Sequence, residues 1–218
     1  MRQHAARPFT LIELIAVMGV MILLAAVAIP AYSSIFSGRK TTLAANQLNG
    51  AVLEARSHAV SAKVYTALVF VKHNSSDNGY TKFRMAEVYH NPDADSSSSF
   101  KWRRWVPGYS FTLLPENTII PDEGSKSLGT TPGGAEGDTG SSRVPKVSDI
   151  SSESGVSGSD APAIIFKPNG QLAGTGDKNV VVRFAETNRY NANPSQAPKL
   201  PLNINWLTCK TKYLDPVQ

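Results

Sequence analysis

From Phe9 to Ile29 the chain runs through 21 residues with a single charged side chain, Glu13, and then meets Pro30. As a helix this segment would be on the order of 31 Å long at about 1.5 Å per residue, close to a bilayer core of roughly 30 Å. A carboxylate inside hydrocarbon costs roughly 2.5 to 3.5 kcal/mol, so Glu13 reads as a functional residue that needs a partner. Residues 1–8 carry Arg2 and Arg7 and no acid. That bias keeps the short end in the cytoplasm and sends the remaining chain outward. The expectation is a single-pass protein with its bulk outside the cytoplasm. Two plainer readings compete: a cleavable secretory signal ending at Ala26-Val27-Ala28, and an ordinary anchor helix for an unrelated outer domain.

The string PFTLIELIAVMGVMILLAAVAIP resembles the N-terminus of type IV prepilins and of the pseudopilins of type II secretion systems. With Phe9 as the first mature residue, Glu13 is the fifth and Pro30 the twenty-second, the positions that family uses. The resemblance implies cleavage between Pro8 and Phe9 by a membrane-embedded prepilin peptidase, followed by methylation of the new amine on Phe9. It also implies that Glu13 pairs with the Phe9 amine of a neighbouring subunit during assembly. The implied partners are the peptidase, other pilins or pseudopilins in a hetero-oligomeric fibre, and an inner-membrane assembly platform. Pro8 departs from the family, which usually has Gly before the cut, and its fixed backbone bears on processing.

The 218 residues allow one domain of ordinary size beyond the anchor. Removing residues 1–8, with Arg2 and Arg7, takes the formal charge from +5 to +3, too mild to argue by itself for nucleic acid. Cys209 is the only cysteine, so no internal disulfide forms. Major pilins often close a C-terminal loop with one, so the resemblance leans toward a minor pilin or pseudopilin.

Past Pro30 the apolar residues Ala44, Leu48, Ala51, Val52, Ala55, Ala59 and Ala62 recur at intervals of three and four, which predicts a helical face. The helix is expected to bend at Pro30 and, if continuous from Phe9 to about Ala62, would be on the order of 80 Å long. Strands are predicted at 64–71, 80–89, 100–106, 109–114, 163–167, 180–184 and 202–207, with Asp77-Asn78-Gly79 as the hairpin turn between the first two. Helix first and sheet afterwards reads as α+β, a long N-terminal helix packed on an antiparallel sheet. The domain reading is a leader at 1–8, a transmembrane and assembly helix at 9–30, the outer half of the helix at 31–62, and a β-rich extracytoplasmic domain at 63–218. Within that domain 124–160, mostly Gly, Ser, Thr and acids, reads as a long mobile loop.

The outer region resembles the GspH/FimT group of minor pseudopilins through the EARSHAV helix end at 54–60 and the IIFKPNG hairpin at 164–170. This resemblance implies a fibre-tip or initiating subunit.

No catalytic set can be assembled from the motifs, and no cofactor is implied. His4, His58, His73 and His90 lack metal-ligand spacing, and Gly155-Val156-Ser157-Gly158 is not a nucleophile elbow. Asp93-Ala94-Asp95 opens like a calcium loop, but no Gly follows at its sixth position and no Glu at its twelfth. Trp102-Arg103-Arg104-Trp105, with Lys210 and Lys212, is the one hint of a nucleic-acid surface. Strand alternation puts Trp102 and Arg104 on one side and Arg103 and Trp105 on the other, so neither face becomes a basic stripe. A structural fibre subunit is therefore the leading reading, and a DNA-binding pilus component the second.

Overall fold

The computed structural model describes residues 11–73, 77–91, 100–123, 128–131, 142–150, 160–176 and 178–214, without the side chains of 27–38, 131, 142 and 143. Pro8, Phe9, Asp93 to Asp95 and the 155–158 motif lie outside the described residues. The chain falls into two units, Met1–Arg39 and Lys40–Gln218. One helix, α1 (Leu11–Ala62), contributes residues to both. It stops where Lys63 adopts a left-handed conformation, φ 54°, a usual way for a helix to end.

The outer unit is α+β. After α1 come β1 (Tyr65–Val71), β2 (Gly79–Tyr80), β3 (Lys82–His90), β4 (Phe100–Trp105), β5 (Thr112–Leu113), β6 (Thr118–Pro121) and β7 (Leu128–Thr131). Then follow β8 (Ser142–Arg143), β9 (Lys146–Ser148), β10 (Ala161–Phe166), β11 (Leu172–Ala173) and β12 (Asn179–Glu186). The chain continues through a short helix, α2 (Thr187–Ala192), to β13 (Lys199–Ile204) and β14 (Thr211–Tyr213).

Two sheets form. In the first, β1, β10, β9, β4 and β3 are neighbours in that order, and β3 pairs back onto β1, so the pairings close into a ring. The β4–β9 contact is parallel and the others are antiparallel. The ring's interior is lined by small residues, Ala67, Ala86, Ala161, Ala163 and Ala173, with Val69, Val88, Ile165 and Phe100. A closed sheet of so few strands has room for little more. The second sheet runs β14-β13-β12-β6-β2, with β7 on β12 and β8 on β7.

One core joins the outer part of α1 to both sheets. Ala44, Ala45, Leu48, Val52, Ala55 and Ala59 are fully buried with Phe70, Phe83 and Phe166 of the first sheet and Val182, Phe184 and Leu202 of the second. The alanines let the helix backbone lie close to the strands. The phenylalanines fill the space, each burial contributing about 1.5 to 3 kcal/mol.

Two expectations are corrected. The segment 124–160 is not a plain loop: β7, β8 and β9 lie in it, and β9 closes the ring, Lys146 pairing with Pro162, Ser148 with Lys101, and Val147 with both Phe100 and Ala161. Nor does Gly79 sit in a hairpin turn. It belongs to β2, opposite Pro121 of β6 in the second sheet, so the chain changes sheet at Thr81. A Cβ on Gly79 would lie 2.5 Å from the Ile120 carbonyl oxygen. Gly79→Ala is expected to destabilise the outer unit by about 1 to 3 kcal/mol through this backbone clash. A urea midpoint equal to wild type would show that the two sheets have slack at this junction.

The turn between β13 and β14 is tied down from three sides. Asn205 Oδ1 accepts hydrogen bonds from the Leu207 and Thr208 backbone N–H groups at 3.1 and 2.9 Å. Arg56 Nη1, from α1, donates to the Thr208 carbonyl at 2.5 Å. Cys209, buried and at φ 53°, donates its thiol to the Gly170 carbonyl at 3.2 Å. Burial raises the Cys209 pKa, partly offset by the charge of Arg56.

Candidate functional site

The inner unit presents an unusual surface. Leu11, Ile12, Leu14, Ile15, Val17, Met18, Val20, Met21, Ile22, Leu23 and Leu24 are all between 49% and 75% exposed. They cover every side of the helix and not one stripe, so no single packing face satisfies them. Glu13 stands among them in the first turn of α1, where the helix dipole favours an acid. Among the described residues no helix is long and apolar enough to cross a membrane. The part of the apolar run whose side chains are described, Leu11–Ala26, is shorter than the roughly 20 residues a span needs. Pro30 lies within the helical backbone of α1.

An exposed apolar area of this size is not left in water by a stable protein. It marks a surface that a membrane or another protein covers. Helix α1 carries this surface and, in its outer part, the core of the second unit.

The outer unit holds a buried charge that sequence reading missed. Glu87 of β3 is only 2% exposed. Arg104 grips it with two hydrogen bonds, Nε to Oε2 and Nη2 to Oε1, both 2.9 Å. Arg103 Nη1 is 3.4 Å from Oε2. His58 Nε2, from α1, is 3.6 Å from Oε1. The Arg104 hydrogen bonds are the main cause of a lowered Glu87 pKa; burial opposes them, and the charges of Arg104 and Arg103 and the contact with His58 add to the lowering.

This arrangement corrects the reading of Trp102-Arg103-Arg104-Trp105. Ala86 pairs with Trp105, Glu87 with Arg104, but Val88 with Trp102, so Arg103 is an extra residue in a β-bulge. A bulge breaks strict alternation. Both tryptophans therefore fall on the ring side, edge to face with centroids 6.1 Å apart, and Phe111 continues the stack at 5.6 Å from Trp105. Both arginines turn to Glu87. Arg103 also lies over the Tyr89 ring at 5.3 Å. A phosphate would have to compete with a buried carboxylate for these guanidinium groups. Lys210 and Lys212 are exposed at the β13–β14 turn and on β14, in the second sheet, whereas the arginines are in the first. The four residues belong to different sheets.

His90 stacks on Tyr65 at 5.3 Å between ring centroids, a packing role. Among the described residues no three metal-ligating side chains converge.

No protein-family profile matches the chain, and no curated protein matches it. Solved structures similar to it include two minor pilin-type proteins. One is the type IV minor pilin FimU of Pseudomonas aeruginosa, 13% identical over 82% of this chain and 91% of that one, TM-score 0.41. The other is the minor pseudopilin EpsH from the type 2 secretion system of Vibrio cholerae, 12% identical over 82% of this chain and 98% of that one, TM-score 0.42.

Proposed function

We propose that this chain is a minor pilin or minor pseudopilin, a structural subunit that works by assembly into a fibre and not by catalysis. The observation that carries the reading is the apolar stretch of α1, exposed on all sides, interrupted only by Glu13 and joined to a folded α+β unit. In this reading residues 9–30 hold the subunit in the bacterial inner membrane, with residues 1–8 in the cytoplasm and the outer unit in the periplasm. A prepilin peptidase removes residues 1–8, and an inner-membrane platform then moves the subunit into the fibre, where neighbouring apolar helices replace the lipid. Glu13 is drawn to the new amine of Phe9 on an adjacent subunit, and Pro30 lets the helix adjust between membrane and fibre.

The test is intact mass and N-terminal sequencing of the protein from native membranes, in the presence and absence of the prepilin peptidase. The expected mature chain begins at methylated Phe9. A start at Met1 in both strains would replace the proposal by a simple anchor, and a start at Ile29 by a secretory signal.

A further inference from the structure

Arg84 of β3 is a half-buried cation with which no acid pairs among the described residues. Its Nε donates to the Tyr109 carbonyl at 2.8 Å. Its guanidinium carbon lies 4.9 Å from the centre of the Trp105 ring and 5.3 Å from that of Phe111. Nη1 and Nη2 make no hydrogen bond among the described residues, and neither is shut off from solvent. The group is thus held in place while its outer nitrogens stay open. The surface around it is apolar. Trp105 and Phe111 are half-buried, and Leu113, opposite Lys82 across the β3–β5 pair, is 62% exposed. Strand alternation places Lys82 on the same face as Arg84, with its Nζ 4.9 Å from the Phe111 ring centre.

An open guanidinium edge offers two parallel N–H groups, the geometry that a carboxylate accepts with both oxygens. A lone surface pair of this kind holds little by itself, so a free small acid would not be retained. The apolar rim supplies the rest. An arginine packed among aromatic side chains is the composition found at the energetic centre of protein–protein interfaces. We infer that this face of the first sheet docks a partner polypeptide, which sets an Asp or Glu on Arg84 and apolar side chains on Phe111 and Leu113. A nucleic acid suits the face less well, because base stacking needs open aromatic faces. Here Arg84 lies over both Trp105 and Phe111, Lys82 lies over Phe111 as well, and both rings pack on the interior of the closed sheet. The inference concerns the outer unit alone, and it does not depend on cleavage before Phe9 or on Glu13.

The test replaces Leu113 by photoreactive benzoylphenylalanine in the full chain, in its native cells. Illumination should join it to a polypeptide whose attached segment, read by mass spectrometry, contains an Asp or Glu. Arg84→Gln should lower the adduct about fivefold or more. Arg84→Lys keeps a cation over the rings but loses the fork, so it should lower the adduct severalfold with the thermal midpoint of the outer unit near wild type. That variant covers the case in which Arg84→Gln unsettles the strands. Arg84→Glu should abolish the adduct, and exchanging the partner's acid for Arg should restore it. No adduct, a yield indifferent to Arg84→Gln and Arg84→Lys, an attached segment without an acid, or a charge exchange that restores nothing would overturn the inference. An adduct destroyed by nuclease would overturn the assignment to a polypeptide.

Discussion

Glu13→Ala is expected to leave the protein at normal abundance in the membrane and to remove it from sheared fibres. The two outcomes have opposite signs because the carboxylate acts oppositely at the two stages. In lipid it is a burden of roughly 2.5 to 3.5 kcal/mol, so its loss makes insertion easier. In a fibre, on the proposal above, it faces a neighbour's amine among apolar helices. Removing one partner of such a pair strands the other and costs about 3 to 5 kcal/mol. Per added subunit that is a factor of more than a hundred in the docking equilibrium. Thermal unfolding of the outer unit serves as the control and should not change, since Glu13 belongs to the other unit. Recovery of the variant in sheared fibres at wild-type amounts would defeat the assembly role of Glu13.

Arg104→Ala should destabilise the outer unit more than Glu87→Leu does, even though both break the same pair. Glu87 has almost no access to water, whereas the Arg103 and Arg104 side chains are 40% and 56% exposed. When the carboxylate is removed, the arginines turn to solvent. When Arg104 is removed, a carboxylate stays buried with only Arg103 and the more distant His58 to balance it, and a stranded buried charge costs on the order of 3 kcal/mol. The double substitution should therefore recover part of what Arg104→Ala loses. Strict additivity in a double-mutant cycle would show that the pair is not coupled. Acid has a related effect. The folded Glu87 pKa lies below its ordinary 4.5, so its contribution is fully present above about pH 4.5 and is lost as pH falls through the lowered value. Glu87→Leu should flatten that part of the stability profile, measured by urea unfolding between pH 3 and 6.

The helix face and the principal strands were legible because each carries its period in consecutive residues. Ala44, Leu48, Val52, Ala55 and Ala59 are all buried, and β1, β3, β4, β10, β12 and β13 fall on the apolar runs. What escaped depends on contacts distant in sequence. Lys146–Ser148 is too short and too polar to announce a strand, yet pairs on both sides because closure of the ring places it there. The bulge at Arg103 exists only relative to β3, so alternation read along β4 alone misassigned its side chains. Glu87 did leave a trace. It follows Phe83 and Met85 at intervals of two, the inward face of β3, and an acid in that register requires a basic partner.

The turn at Cys209 has a consequence for maturation. Its anchoring is entirely non-covalent, through Asn205, Arg56 and a buried thiol whose pKa burial raises. The outer unit can then reach its final form without waiting for an oxidant to close an internal disulfide, since Cys209 has no second cysteine in the sequence to pair with. A reductant therefore has no internal disulfide to break there, and the turn keeps the same anchors in reducing surroundings.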